Sequence, residues 1–401
     1  MPFHPFTSHP FCLPRQGLSP ASLFPTLVMN RLIGFLSGSL LNLFFPIFLY
    51  QILHFSIQYV LLWYGLNYLI RIPFFVPGSK LFTRFGLVPA MVVGTIGAFV
   101  FHLCVYLLSA GATEIWFWLS LAAIGLAFNN IFYWSPFHVD FAQMTVKDHR
   151  GRQISRFYAI HQLISFISPI ISGYVIAVYG FSFVFLFATI LQILSLAPLA
   201  YLPNSFVKYE FGYWETLRKL VSKKYRNMCL AMAANGAENL VGVIIWPIFL
   251  FMIFDGQYLD LGVFASVIIM ISLMLELFIG KKTDSKSKRK LLRLGTGIYS
   301  LGWVAKAAVS TVVGVFAAAT FHSFGSILLR TPLAAVIYEQ AADSGHYIDE
   351  YTVLREIGLN IGRVLMVVVL MLLMHWFSIA WSFVIAAVVS LGMTKIGQRV
   401  S

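Results

Sequence analysis

Apolar residues in this chain gather into blocks of about twenty, separated by short polar gaps. The blocks fall at 31–50, 57–76, 87–109, 115–138, 157–178, 180–202, 228–252, 261–280, 291–311, 314–338, 353–374 and 376–396. A helix of roughly 20 residues spans the ~30 Å hydrocarbon core of a bilayer. The pattern therefore predicts an all-α membrane protein with twelve transmembrane helices. Most gaps are too short for anything but an antiparallel hairpin. The exception is 203–227, where Trp214, Leu217 and Leu220 stand among Arg218, Lys219, Lys223, Lys224 and Arg226. It reads as an amphipathic helix on the membrane surface. The expected organisation is a tail over 1–22, a six-helix half over 23–202, a linker over 203–227, a second half over 228–396 and a tail over 397–401.

Composition agrees with the blocks: 59% of the residues are hydrophobic and 11% charged, against about 25% charged in soluble domains. This excludes a water-soluble enzyme. The net charge of +13 would suggest nucleic acid if it formed one patch, but it sits in alternate gaps. With the N-terminus inside, 22 of the 28 Lys and Arg residues lie in cytosolic segments, and the opposite gaps hold none. That is the positive-inside distribution, and it places both termini in the cytosol. Pro2, Pro5, Pro10 and Pro14 break any signal-peptide helix. Cys12, Cys104 and Cys229 form no CxxC pair, so no metal site or disulfide framework is expected. His4 and His9 in the tail are a weak metal pattern. The lack of an Asn-x-Ser/Thr sequon fits the inner membrane of a prokaryote.

The gap after the second block reads SKLFTRFGLV (79–88), and the gap after the eighth reads GKKTDSKSKR (280–289), 201 positions later. The chain here resembles the major facilitator superfamily, whose loop motif is G-x-x-x-D-(R/K)-x-G-(R/K)-(R/K). The second copy keeps Gly280, Asp284, Lys286, Lys288 and Arg289. The first keeps Arg84 and Gly86 but has Ser79 for the glycine and Thr83 for the acid. A small residue permits close helix approach, and the charges can latch helices at the cytosolic side. The bland alternative is a charge run that only enforces topology. SPIISG (168–173) is similar to the family's antiporter-associated G-P-x-x-G-G, whereas helix 4 lacks the arginine of the proton-linked motif.

Ionisable groups at bilayer depth are costly, and they mark pathways or buried pairs. Helix 7 carries Asn235, Glu238 and Asn239 on one face, helix 10 His322, Ser326 and Arg330, and helix 11 Glu356, Asn360 and Arg363. Asn67 with Arg71, and His161 with Ser165 and Ser168, stripe helices 2 and 5. Lys306 lies toward the outer part of helix 9. The family arrangement, with helices 1, 4, 7 and 10 around a cavity, makes Asn42, Asn129, Tyr133, Asn235, Glu238, Asn239, His322 and Arg330 the cavity candidates. Glu238 and His322 are then the proton-coupling candidates, His322 because imidazole titrates in the right range. Arg84, Gly86, Gly280, Asp284, Lys288, Arg289, Glu356 and Arg363 are the candidates for a cytosolic gate. A structural reading stands beside each: Glu238 paired with a buried base, Arg330 meeting Glu356, Glu356 with Arg363 as a network, Asn42 and His161 bonding neighbouring helices. Tyr133, Trp134 and Trp246 are candidates for stacking on a substrate.

The resemblance implies a secondary transporter of a small solute by alternating access, monomeric, with proton coupling, efflux or antiport slightly favoured, and no cofactor, metal or nucleic acid. The slight basic excess at depth permits an anionic substrate. A second class is a polytopic enzyme acting on lipid-linked substrates through His138, Asp140 and His149. A third is a non-transporting receptor on the same fold.

Overall fold

In the computed structural model, residues 20–397 are described apart from 135, 138–139, 142–149, 207–208, 284–287 and 344–347. All the described elements are helices. The first half runs α1 (Pro20–Asn42), α2 (Phe45–Ile52), α3 (Ile57–Phe85), α4 (Leu87–Ser109), α5 (Ile115–Phe132), α6 (Arg150–Tyr179) and α7 (Phe181–Leu194). A short surface helix, α8 (Tyr213–Leu220), follows. The second half runs α9 (Arg226–Leu240), α10 (Trp246–Ile253), α11 (Tyr258–Thr283), α12 (Lys288–Ala307), α13 (Val312–Asp343), α14 (Ile348–Leu373) and α15 (Ala380–Ser390).

Ten of these segments are long and apolar enough to cross a membrane, α9 and α10 counting as one continuous span. Two further blocks are helical but fall short: α12 begins with the charged run Lys-Arg-Lys, and the last apolar helix covers only Ala380–Ile396. The chain is an integral, multi-pass membrane protein. Within the linker, the surface helix is confined to Tyr213–Leu220, and the described residues between Pro203 and its Gly212 cap are not helical. Conversely, α3 continues past its apolar block to Phe85, so the first copy of the loop motif is mostly helix.

The 201-residue offset recurs in the backbone itself. Pro46 opens α2 after a turn at Leu43–Phe44, and Pro247, 201 positions later, follows a π-helical turn at Val241–Ile245. Proline supplies no N–H to the preceding carbonyls, and a break or bulge absorbs the loss. The turns after α2 and α10 also match. His54 and Phe55 have φ of 56° and 58°, and Asp255 and Gly256 have 47° and 78°. Phe55 N–H donates to Tyr50 at 2.8 Å, and Gly256 N–H to Phe251 at 3.0 Å. Each pair is offset by 201, and so are the starts of α4 and α12, Leu87 and Lys288.

The halves meet chiefly along two helix pairs, α6 with α11 and α3 with α14, with a smaller contact between α2 and α10. A Cβ on Gly173 or Gly262 would run into the carbonyls of Tyr258 and Pro169 respectively, so the α6–α11 crossing requires glycine on both sides. This explains why SPIISG ends in Gly173. Tyr258 is the centre of the contact: its hydroxyl accepts from Gln51 Nε2 at 2.7 Å, and its ring meets Phe44 and Phe181. These residues lie toward the end of the bundle whose gaps contain no Lys or Arg, called here the bare end. The opposite, basic end carries α8.

Candidate functional site

A cavity of about 510 Å³ lies between the halves. Its walls are Phe35, Ser39 and Asn42 of α1, Gln162, Ser165 and Pro169 of α6, Gly242 and Trp246 around the π turn, Ile269, Ser272 and Glu276 of α11, and Ser326, Arg330 and Thr331 of α13. The π turn matters here, since it aims both Gly242 and Trp246 at the cavity. Closure at the bare end and a lining that reaches Gln162, Glu276 and Thr331 orient the cavity toward the basic end.

Arg330 joins this cavity to a charged cluster in the second half. Glu238 is buried, and its Oε1 accepts a short hydrogen bond from the Tyr299 hydroxyl. Arg330 donates from Nη2 to that hydroxyl at 3.3 Å and from Nε to Ser326 Oγ at 3.0 Å. Its Nη2 stands 3.8 Å from Glu238 Oε2, which has no hydrogen-bond partner. His322 sits between Tyr299 and Trp303, at ring distances of 4.3 and 4.6 Å, with Nε2 unbonded. Lys306 lies between indoles, its Nζ 3.9 Å from the centre of Trp246 and 4.4 Å from that of Trp303. Glu238 and Lys306 are buried and Arg330 reaches into the cavity; a buried carboxylate needs such cationic neighbours, because a lone charge in this medium is far more costly than a pair.

The first half builds the equivalent place without charge. Ser37 stands 201 positions before Glu238, and His102 stands 201 before Trp303; the two side chains bond each other at 3.1 Å. The fold therefore does not require an acid there.

Of the eight cavity candidates, Asn42 and Arg330 line the cavity directly, while Glu238 and His322 stand behind Arg330. Asn129 instead donates to the Gly94 carbonyl at 3.0 Å, because α4 and α5 approach closely. Tyr133 donates to Asn30 at 2.7 Å, and Arg31 lies over Trp134 at 4.2 Å, outside the cavity wall. Asn239 accepts from Arg363 at 3.0 Å, and Asn235 lies a turn earlier, off the lining. His161 stacks on Phe35 at 3.4 Å. Gln162, Ser39, Glu276 and Thr331 are lining residues that the polar stripes missed. Phe35, Ser39 and Asn42 do share one helical face, and that spacing was the available signal.

The gate candidates divide. Arg363 bonds Asn239 rather than Glu356, and Glu356 pairs with Arg355 at 2.7 Å. Arg71 and Arg363 both lie over the ring of Tyr68, at 5.1 and 5.0 Å. Arg84 lies over Phe85. Gly86, at φ 96°, is where the linker docks. Asn204 donates to the Phe85 carbonyl at 2.9 Å and accepts from Val88 N–H at 3.3 Å, while Ser205 accepts from Leu87 N–H at 2.8 Å. Its amide fills the space a Cβ on Gly86 would need. Ser205 also donates to buried Asp140 at 2.6 Å, and burial pushes that carboxyl up to about 6. On the other half, Glu350 accepts from Glu210 N–H at 2.7 Å. Gly280 lies late in α11. Asp284, Lys286, His138, His149, Cys12, His4, His9 and the side chains of Lys288 and Arg289 lie outside the described residues. Cys104 and Cys229 are buried and free.

The sequence model described as Major Facilitator Superfamily matches residues 27–349. No curated protein sequence matches the chain. Among solved structures, a POT family transporter in complex with thioalcohol conjugated peptide is similar, with TM-score 0.71 and 11% identity, over 92% of this chain and 94% of that one. A POT family transporter in complex with 5-aminolevulinic acid gives 0.70 and 12%, over 92% and 94%. A peptide transporter POT in complex with alafosfalin gives 0.70 and 13%, over 93% of each chain.

Proposed function

The chain belongs to the major facilitator superfamily, and on that premise we propose that it is a secondary transporter moving a small solute by alternating access. Two six-helix halves, twelve spans in all with both termini in the cytosol, rock about the cavity between them. The bare end is then the outer side, and the conformation described is inward-facing. The carrying observation is Glu238, a buried acid bonded through Tyr299 and Arg330 to a cavity wall, at a place the first half fills with Ser37 and His102.

Coupling follows from electrostatics. While Glu238 is ionised it holds the Tyr299 hydroxyl and attracts the guanidinium of Arg330. A proton on Glu238 removes that attraction and frees Arg330 to serve the cavity, so proton and solute binding are linked. His322, on the same ring stack, is the second proton-carrying group proposed. Arg84, Gly86, Glu356 and Arg363, with Gly280, Asp284, Lys288 and Arg289, make up the proposed gate on the cytosolic, basic side. Structures of the same fold hold peptide-like and amino-acid-like molecules, which supports cargo of that size.

The test is solute accumulation in vesicles under an imposed pH gradient, with exchange in its absence. Glu238→Gln should abolish gradient-driven accumulation and preserve exchange. Unchanged accumulation in that variant would remove Glu238 from coupling, and no flux of any kind would favour the receptor reading.

A further inference from the structure

We infer that the solute is a small organic anion with a flat apolar body, its anionic group held by Arg330 and its ring against Trp246; this deepens the transport reading above and rests on it. Arg330 is the starting point. A guanidinium has five N–H donors. Ser326 takes the one on Nε and Tyr299 takes one on Nη2, while Glu238 at 3.8 Å is beyond hydrogen-bond reach. The remaining donors belong to a side chain that is 53% exposed and lines the cavity. A fork of free N–H groups matches a carboxylate or a sulfonate.

The charge behind that fork points the same way. Lys306 is 5% exposed, has no ion pair among the described residues, and rests between Trp246 and Trp303. Behind the fork, Arg330 and Lys306 share one buried carboxylate, Glu238, so an anion at the free donors of Arg330 meets cationic neighbours on that wall. Trp246 belongs to both environments: it carries Lys306 on its ring and lines the cavity. An indole already polarised by an ammonium is a poor seat for a second cation and a good one for an apolar ring. Phe35 and Ile269 continue the apolar wall. Glu276, the carboxylate on the opposite wall, is exposed and makes no ion pair with Arg330.

The experiment measures melting temperature of the purified full chain against four probes: phenylacetate, pentanoate, phenylalanine and phenethylamine. A ligand of the folded state raises that temperature by mass action. Phenylacetate should stabilise most, pentanoate less, and phenethylamine not at all. Arg330→Gln should weaken phenylacetate binding about 10- to 100-fold, and Trp246→Leu about 2- to 10-fold. Arg330→Lys keeps the charge and loses the fork, so it should bind at least several-fold more weakly and remains readable if the glutamine variant does not fold. Stabilisation by phenethylamine, stabilisation by phenylalanine that vanishes in Glu276→Gln, or no shift with phenylacetate would each overturn the inference. Exchange of labelled phenylacetate across vesicles separates the two readings. Binding without exchange overturns the transporter and leaves the anion site standing; exchange of phenylalanine but not phenylacetate does the reverse.

Discussion

The guanidinium of Arg363 lies 5.0 Å over the ring of Tyr68, a contact that crosses from one half of the molecule to the other. Arg71, from the same helix as Tyr68, lies over that ring at 5.1 Å. Two like charges thus share one aromatic ring, and Asn239 and Asn67 hold them in place. Tyr68→Leu should remove this bridge and loosen the packing of the two halves along α3 and α14. A cation–π contact of about 0.5–2 kcal/mol corresponds to roughly a 2- to 30-fold change in the ratio of open to closed forms. Spin labels at His54 and Asp255 would report it; an unaltered distance distribution would show that α6 and α11 carry the closure alone.

Tyr299 should be separable from Glu238 by a single oxygen. Tyr299→Phe keeps the ring against His322 and Trp303 and deletes the hydroxyl that serves both Glu238 and Arg330. Leaving a buried acceptor unserved costs about 1–3 kcal/mol, so the melting temperature should fall. The fall should largely disappear in the Glu238→Gln background, where no buried carboxylate remains for the hydroxyl to serve. Equal losses in both backgrounds would mean that Tyr299 acts by packing only.

The linker dock makes a sharper demand on Gly86. Its φ of 96° and the Asn204 amide above it both exclude a side chain. Gly86→Ala should cost about 1–3 kcal/mol, and Asn204→Ala about 1–2 kcal/mol for its two backbone bonds. The two effects should not add, since either one undocks the strap. Thermal denaturation of the double variant decides this.

Asp140 predicts a pH dependence with a definite sign. Burial raises its carboxyl to about 6 from an ordinary 3.8, so the folded state binds its proton more tightly than the unfolded chain does. The native state carries no penalty below the ordinary value, loses stability as the pH rises between the two, and bears the full cost above about 6. Asp140→Asn should therefore stabilise the protein at pH 7.5, by about 1–3 kcal/mol, and leave it unchanged near pH 3.5. Melting curves at the two pH values check it; stabilisation at both would assign the effect to packing.

What could be read from the chain beforehand was what leaves contrast in an apolar background. Glu238, Arg330 and Arg363 stand out because charge is rare at that depth, and the 201-residue offset showed itself in two basic gaps. Its backbone expression was harder to see. Asp255–Gly256 reads as a turn, but nothing in His54–Phe55 announces the same left-handed geometry. Tyr299 and Trp303 were hidden as two more aromatics in a chain rich in them, whereas Trp246, singled out for stacking, does line the cavity. Asn129 and Tyr133 lie on the face that the family arrangement turns to the cavity, yet a neighbouring carbonyl and Asn30 claim their polar atoms. Helix ends also shifted where apolar content was a poor guide, as in α3, whose final turns carry Lys80 and Arg84.

Ser205 is fastened to the first half through Leu87 and Asp140, and Glu210 to the second through Glu350. Glu210 stands five positions after Ser205, and an extended chain advances about 3.3–3.6 Å per position. While both fastenings hold, their backbones cannot stand more than roughly 18 Å apart. The strap is thus a leash on the basic end: it caps how far apart the two halves can stand there.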